Sequence, residues 1–160
     1  MLTRRTALAA GGSALLLAGC GGKPARMIAG DDADLPILAA ALEIERAQIA
    51  LYEAGVHLVS GREARLVQTI LAHERRHAEA LAEAIRELGR RPAGPRAAGA
   101  YARGVPRAPD AWRQHAIQSE ELWSAGYAAA IPKLSNKRLR ATFGAIMTTE
   151  AEHAVALGVA

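Results

Sequence analysis

Residues 45–52 read Glu45-Arg46-Ala47-Gln48-Ile49-Ala50-Leu51-Tyr52, and residues 120–127 read Glu120-Glu121-Leu122-Trp123-Ser124-Ala125-Gly126-Tyr127. Further along, Glu74-Arg75-Arg76-His77 is matched by Glu150-Ala151-Glu152-His153. The Glu and Tyr pairs are each offset by 75 residues and the two E-x-x-H pairs by 76. A unit of Glu, a Tyr seven residues later, and then E-x-x-H is thus present twice and in phase.

Each part of the unit falls on an apolar stripe with helical spacing. Leu38, Leu42, Glu45, Ile49, Tyr52 and Val56 step by alternating fours and threes, which is one face of a helix. Leu66, Ile70, Glu74, His77, Leu81 and Ile85 form a second such face. Ile117, Glu120, Ser124, Tyr127 and Ile131 form a third; Phe143, Met147, Glu150, His153 and Leu157 form a fourth. Four such helices make an all-α bundle whose core holds four carboxylates and two imidazoles. An uncompensated buried carboxylate costs several kcal/mol. Two divalent cations balance four ionised Glu side chains with both His neutral, so the charge arithmetic favours a dinuclear metal site at Glu45, Glu74, His77, Glu120, Glu150 and His153. The alternative is a metal-free scaffold or docking bundle whose carboxylates are protonated or paired with arginines.

One motif competes. His73-Glu74-Arg75-Arg76-His77 is an H-E-x-x-H, the zinc-protease signature, on a helix with the right spacing. The second repeat has Thr149 in place of His73, and no strand-like segment supplies a substrate-binding sheet. A zinc protease is therefore a remote alternative. His73 lies about 100° round the helix from Glu74 and is expected on a flank or at the surface. His57 and His115 fall off the stripes.

On these motifs the chain resembles the ferritin-like superfamily of di-iron carboxylate proteins, over roughly residues 35–158. The resemblance implies an antiparallel four-helix bundle with one long crossover between helices 2 and 3. It implies one metal held by Glu45, Glu74 and His77 and another by Glu120, Glu150 and His153, with Glu74 and Glu150 bridging. Tyr52 and Tyr127 would hydrogen-bond the ligand carboxylates and orient them. The implied cofactor is two iron ions, with manganese or a mixed Mn/Fe pair as variants. The implied activity is redox chemistry of the oxidase, peroxidase or ferroxidase type on dioxygen, peroxide or iron. Rubrerythrins carry a further Glu where this chain has Trp123, and paired cysteines where it has a single Cys, so a rubrerythrin-style peroxidase is not expected. The fifth helix of cage-forming ferritins has no place after Ala160, which argues against an iron-storage shell.

The first residues bear on location. Thr3-Arg4-Arg5-Thr6-Ala7-Leu8 is a twin-arginine n-region lacking only the preferred Phe, followed by a short apolar stretch to Ala18. Leu17-Ala18-Gly19-Cys20 resembles a bacterial lipobox, and Cys20 is the only cysteine. Residues 1–19 are read as a signal peptide and Cys20 as the lipidation site. The protein is then expected outside the cytoplasm in the cell envelope, held to the membrane through lipidated Cys20. Export by this route resembles that of proteins folded with a cofactor already inserted. Loss of Arg4 and Arg5 takes the net charge from +4 to +2, too mild an excess to argue for nucleic acid.

The rest of the chain follows from its punctuation. Residues 20–34, rich in Gly and Asp, read as the lipidated Cys and a flexible tether, and residues 35–160 as the bundle. Pro36 suits a first helical turn, and Ser60 with Glu63 is a capping-box signature between helices 1 and 2. Residues 89–109 are broken by Gly and Pro, and about 21 residues at ~3.3 Å each can return along a helix of ~40 Å. The crossover carries Arg90, Arg91, Arg96, Arg103 and Arg107 and reads as a solvated basic loop. Pro132 ends helix 3, and Ser135 or Asn136 can cap helix 4. A homodimer through helix faces is a further expectation.

Overall fold

Pro36 sits in the first turn of helix α1 (Leu35–Gly55), where its missing N–H costs nothing. Three more helices follow in a computed structural model that describes residues 31–97 and 99–160: α2 (Gly61–Glu87), α3 (Pro109–Ala130) and α4 (Lys137–Gly158). There is no strand among the described residues. The turn after α1 is short, Ile131–Lys133 forms a single 3-10 turn carrying Pro132 before α4, and the long connection runs from α2 to α3. The expected architecture, a four-helix bundle with one crossover between helices 2 and 3, is the observed one. The twin-arginine segment, Cys20 and the tether to residue 30 lie outside the described residues.

Two apolar clusters show how the helices run. One gathers Leu38 and Leu42 from the start of α1, Leu81 and Ile85 from the end of α2, Tyr127 from the end of α3, and Leu139 and Phe143 from the start of α4. The other gathers Leu51 and Tyr52, Val67 and Ile70, Trp112 and Ala116, and Leu157, from the opposite halves of the same helices. Helix starts meet helix ends at both poles, so α1 is antiparallel to α2 and α3, and α4 to α2 and α3. The polar residues of the repeat fall between the two clusters and are sealed by both. Trp112 anchors the second cluster: its indole N–H donates to the Leu51 carbonyl at 3.0 Å, and its ring meets Tyr52 edge-on. Gly55 makes room for that indole, because a Cβ there would fall inside the ring.

Of the local expectations, the Asn136 cap is met and three others need correction. Ser60 is the N-cap of α2 with extended backbone, but its side chain makes no cap hydrogen bond. Glu63 instead accepts from Arg113 of α3 at 2.5 and 3.0 Å, because a guanidinium across the bundle outcompetes the helix's own N-terminus. Asn136 caps α4 and accepts from the Arg138 and Leu139 amides, while Ser135 turns elsewhere. Residues 31–34 belong to the bundle rather than the tether. Asp31–Ala33 is a 3-10 turn, and Asp34 is wholly buried, accepting from the Ser135 N–H and Oγ–H and the Asn136 N–H at 2.7–2.9 Å. The crossover, finally, is tied down in part. Arg46 donates to the Ala93 carbonyl, and Arg96 and Tyr101 both donate to Glu43.

Candidate metal centre

The four Glu lie at mid-helix, one from each helix, and all are buried to within 1 % of complete exclusion from solvent. Helical spacing places His77 one turn after Glu74 and His153 one turn after Glu150, so each imidazole enters the same layer as its Glu. His77 Nδ1 stands 3.1 Å from Glu150, 3.5 Å from Glu45 and 3.9 Å from Glu74. His153 Nδ1 stands 3.1 Å from Glu74 and 3.6 Å from Glu120. Two overlapping sets result, Glu45–Glu74–His77–Glu150 and Glu74–Glu120–Glu150–His153, with the donor atoms of each set within 4.8 Å of one another. Glu74 and Glu150 belong to both.

The two tyrosines join the halves crosswise. Tyr52 donates its hydroxyl to Glu120 Oε1, and Tyr127 donates to Glu45 Oε1. Each Tyr therefore holds the carboxylate of the other repeat. Burial, with the facing carboxylate charges next, raises both phenols above their ordinary value and keeps them as donors.

What remains after these bonds, besides the Gln48 amide nitrogen, is a set of buried atoms with no hydrogen-bond partner: Glu45 Oε2, Glu120 Oε2, both oxygens of Glu74, both oxygens of Glu150, and Nδ1 of His77 and of His153. The close His–Glu approaches lack hydrogen-bond alignment. These eight atoms supply one free oxygen on each Glu that a Tyr holds and two on each Glu shared between the sets. Among the described residues no Lys or Arg forms an ion pair with any of the four Glu, so arginine pairing does not compensate them. Burial, then the charges of Glu150 and Glu120, pushes the Glu74 carboxyl up to about 12. Burial raises Glu150 to about 7 and Glu120 in the same direction. His77 feels burial against its charge, but Glu150 and Glu45 outweigh it and hold it up to about 9, whereas burial takes His153 down to about 4. Without a cation the layer must hold protons, and the donor atoms that lack partners are those a cation could use.

A family model described as a ferritin-like domain matches residues 33–159. The chain belongs to the ferritin-like family. Among solved structures, this ferritin-like chain is similar to a conserved hypothetical protein from Mycobacterium tuberculosis, at TM-score 0.72 and 20 % identity, covering 79 % of this chain and 96 % of that one. That likeness concerns the fold. Comparison with curated proteins gave no match.

His73 lies on the flank its angle from Glu74 implied, but it has a contact there that the sequence did not suggest. It is partly buried, its Nδ1 lies 2.9 Å from Nε2 of His153, and the two ring planes are within 25° of parallel. It joins neither donor set, so the H-E-x-x-H pair does not converge on one ion as a zinc protease requires. Sequence reasoning also passed over Gln48, buried one turn after Glu45, whose Oε1 accepts from Ser119. His57 and His115 have no place in the site.

Proposed function

We propose that this ferritin-like chain holds two metal ions, iron foremost, and carries out redox chemistry on dioxygen, peroxide or iron itself at the cell envelope. The observation that carries the reading is the set of eight unpartnered donor atoms, enough for four per ion, in a layer sealed by apolar clusters above and below. A donor set of oxygens with one imidazole nitrogen per ion suits iron and manganese, not the thiolate-rich sites of softer metals. Glu45 and Glu120, each with one oxygen held by a Tyr, would serve as terminal ligands, while Glu74 and Glu150, with both oxygens free, would be shared between the ions. The chemistry that iron would supply when bound there is electron transfer to dioxygen or peroxide. The chain's own part is to bind and space them, to keep bulk water out through near-complete burial, and to fix the terminal carboxylates through Tyr52 and Tyr127. The envelope address rests on the twin-arginine and lipobox patterns ending at Cys20.

The test is metal content by mass spectrometry on chain purified without chelator, followed by optical spectra before and after peroxide. Near two irons per chain and a spectrum that responds to peroxide supports the reading. Two ions that bind and stabilise but never change oxidation state would make the centre a structural pin. No uptake after anaerobic reconstitution with ferrous iron would overturn it.

A further inference from the structure

The two halves of the site match in every ligand but not in what stands behind the histidines. His153 presents Nδ1 to Glu74 and Glu120 and turns Nε2 to Nδ1 of His73, 2.9 Å away. The His73 and His153 ring centroids lie 5.2 Å apart with the planes at 25°, the end-to-end arrangement that a hydrogen bond in the plane of the rings requires. His77 presents Nδ1 in the same way, but its Nε2 meets no partner among the described residues, and its side chain is 14 % exposed against 6 % for His153. In the second repeat Thr149 stands where His73 does in the first, and its hydroxyl bonds back to the Ala145 carbonyl of its own helix. The asymmetry is therefore written into the sequence.

An imidazole binds a metal through Nδ1 only when its proton sits on Nε2, and a partner accepting that proton fixes both tautomer and ring orientation. We propose that His73 is a positioning residue: it accepts the Nε2–H of His153 and so makes the metal position bounded by Glu74, Glu120, Glu150 and His153 the tighter of two unequal positions. That position fills first and empties last. His77 must find its ligating tautomer and rotamer unaided, so the position it serves is the labile one. The inference rests on the two-metal reading above.

The experiment is a stepwise titration of the metal-free full chain with cobalt(II), followed by its visible bands. Two steps of unequal affinity are expected. His73→Ala should weaken the tighter step by roughly 10- to 100-fold and leave the other in place. His73→Asn, whose carboxamide oxygen can accept the same proton, should recover part of the loss. In a His153→Ala background His73→Ala should add nothing. An independent readout is nitrogen NMR of the metal-free chain: His153 should carry its proton on Nε2 in the wild type and become a tautomer mixture in His73→Ala. That signature does not follow from a packing role. Equal steps in the wild type, equal weakening of both steps, or an unchanged tautomer would overturn the proposal. Two ions bound with affinities indifferent to His73 would sink this inference alone, whereas no cobalt uptake by the wild type would sink the two-metal reading with it. Should His73→Ala fail to fold, His73→Asn and the wild-type tautomer still decide.

Discussion

Glu74→Gln should stabilise the metal-free protein and cripple the metal-loaded one. Glu74 is fully buried, and burial with the neighbouring Glu150 and Glu120 charges pushes its carboxyl up from 4.5 to about 12. The folded chain therefore keeps a proton that the unfolded chain gives up. For an acid whose folded pKa is raised, stability is intact below the unfolded pKa and falls as pH climbs above it. At pH 7 the separation from 4.5 corresponds to about 3–4 kcal/mol lost, at ~1.4 kcal/mol per unit, and the result needs only a folded pKa above 7. Gln mimics the protonated carboxyl and removes that cost. Thermal unfolding by far-UV circular dichroism in chelator should then show the variant melting higher at pH 7, by roughly 10 °C, and by much less at pH 5. With metal the order should invert. Ions at a thousand times their dissociation constant add about 4 kcal/mol to the wild type. The variant has lost a carboxylate that both donor sets share, and should gain little. A metal-free variant less stable than wild type at pH 7, or one that keeps the full metal-induced rise, would refute the argument.

Metal loading should release protons, since Glu74 and His77 (held up to about 9) are both protonated at neutral pH before the ions arrive. About two per chain or more should appear in an indicator-dye assay, with affinity rising as pH rises, and a proton-neutral titration would count against this site. Gly55→Ala should cost about 3 kcal/mol or more, read as a lower denaturation midpoint, because the new methyl must displace the buried Trp112 ring; an unchanged midpoint would mean that the indole is free to move. Asp34→Ala should cost about 3 kcal/mol by orphaning the Ser135 and Asn136 amides, with Asp34→Asn milder, and equal melting of all three chains would show the contact to be idle.

The four helices and the residues that meet between them were legible because one signal carried both. A polar residue that lands on an apolar stripe at helical spacing has a known orientation, and repetition at a fixed offset says that it is there for a reason. The partners of those residues were less legible. Periodicity places Tyr52 on the inner face of α1, but nothing local says that its hydroxyl reaches Glu120 of the other repeat, 68 residues away. Asp34 was read with the Gly- and Asp-rich stretch before it, since its partners lie 101 and 102 positions further on. Glu63 fitted a local capping rule and was drawn away by Arg113. His73 could have been placed. Measured from Glu74 it is about 100° off the stripe, but measured from His77, four residues on, it is only about 40° off and one turn along the same face. The ligand imidazole was the better reference.

The crosswise tyrosines and the single extra histidine pull the centre in opposite directions. Tyr52 on Glu120 and Tyr127 on Glu45 make each half depend on the other, so neither repeat can orient its terminal carboxylate alone. This ties the two positions together mechanically and argues for one layer that orders as a unit. His73 backs His153 and nothing among the described residues backs His77, which on the proposal above would separate the two positions energetically. A centre built this way suits chemistry in which two ions act at once but need not come and go at once. On the two-metal reading, the matched carboxylates would set where the ions sit relative to each other, and the unmatched histidine would set which one stays.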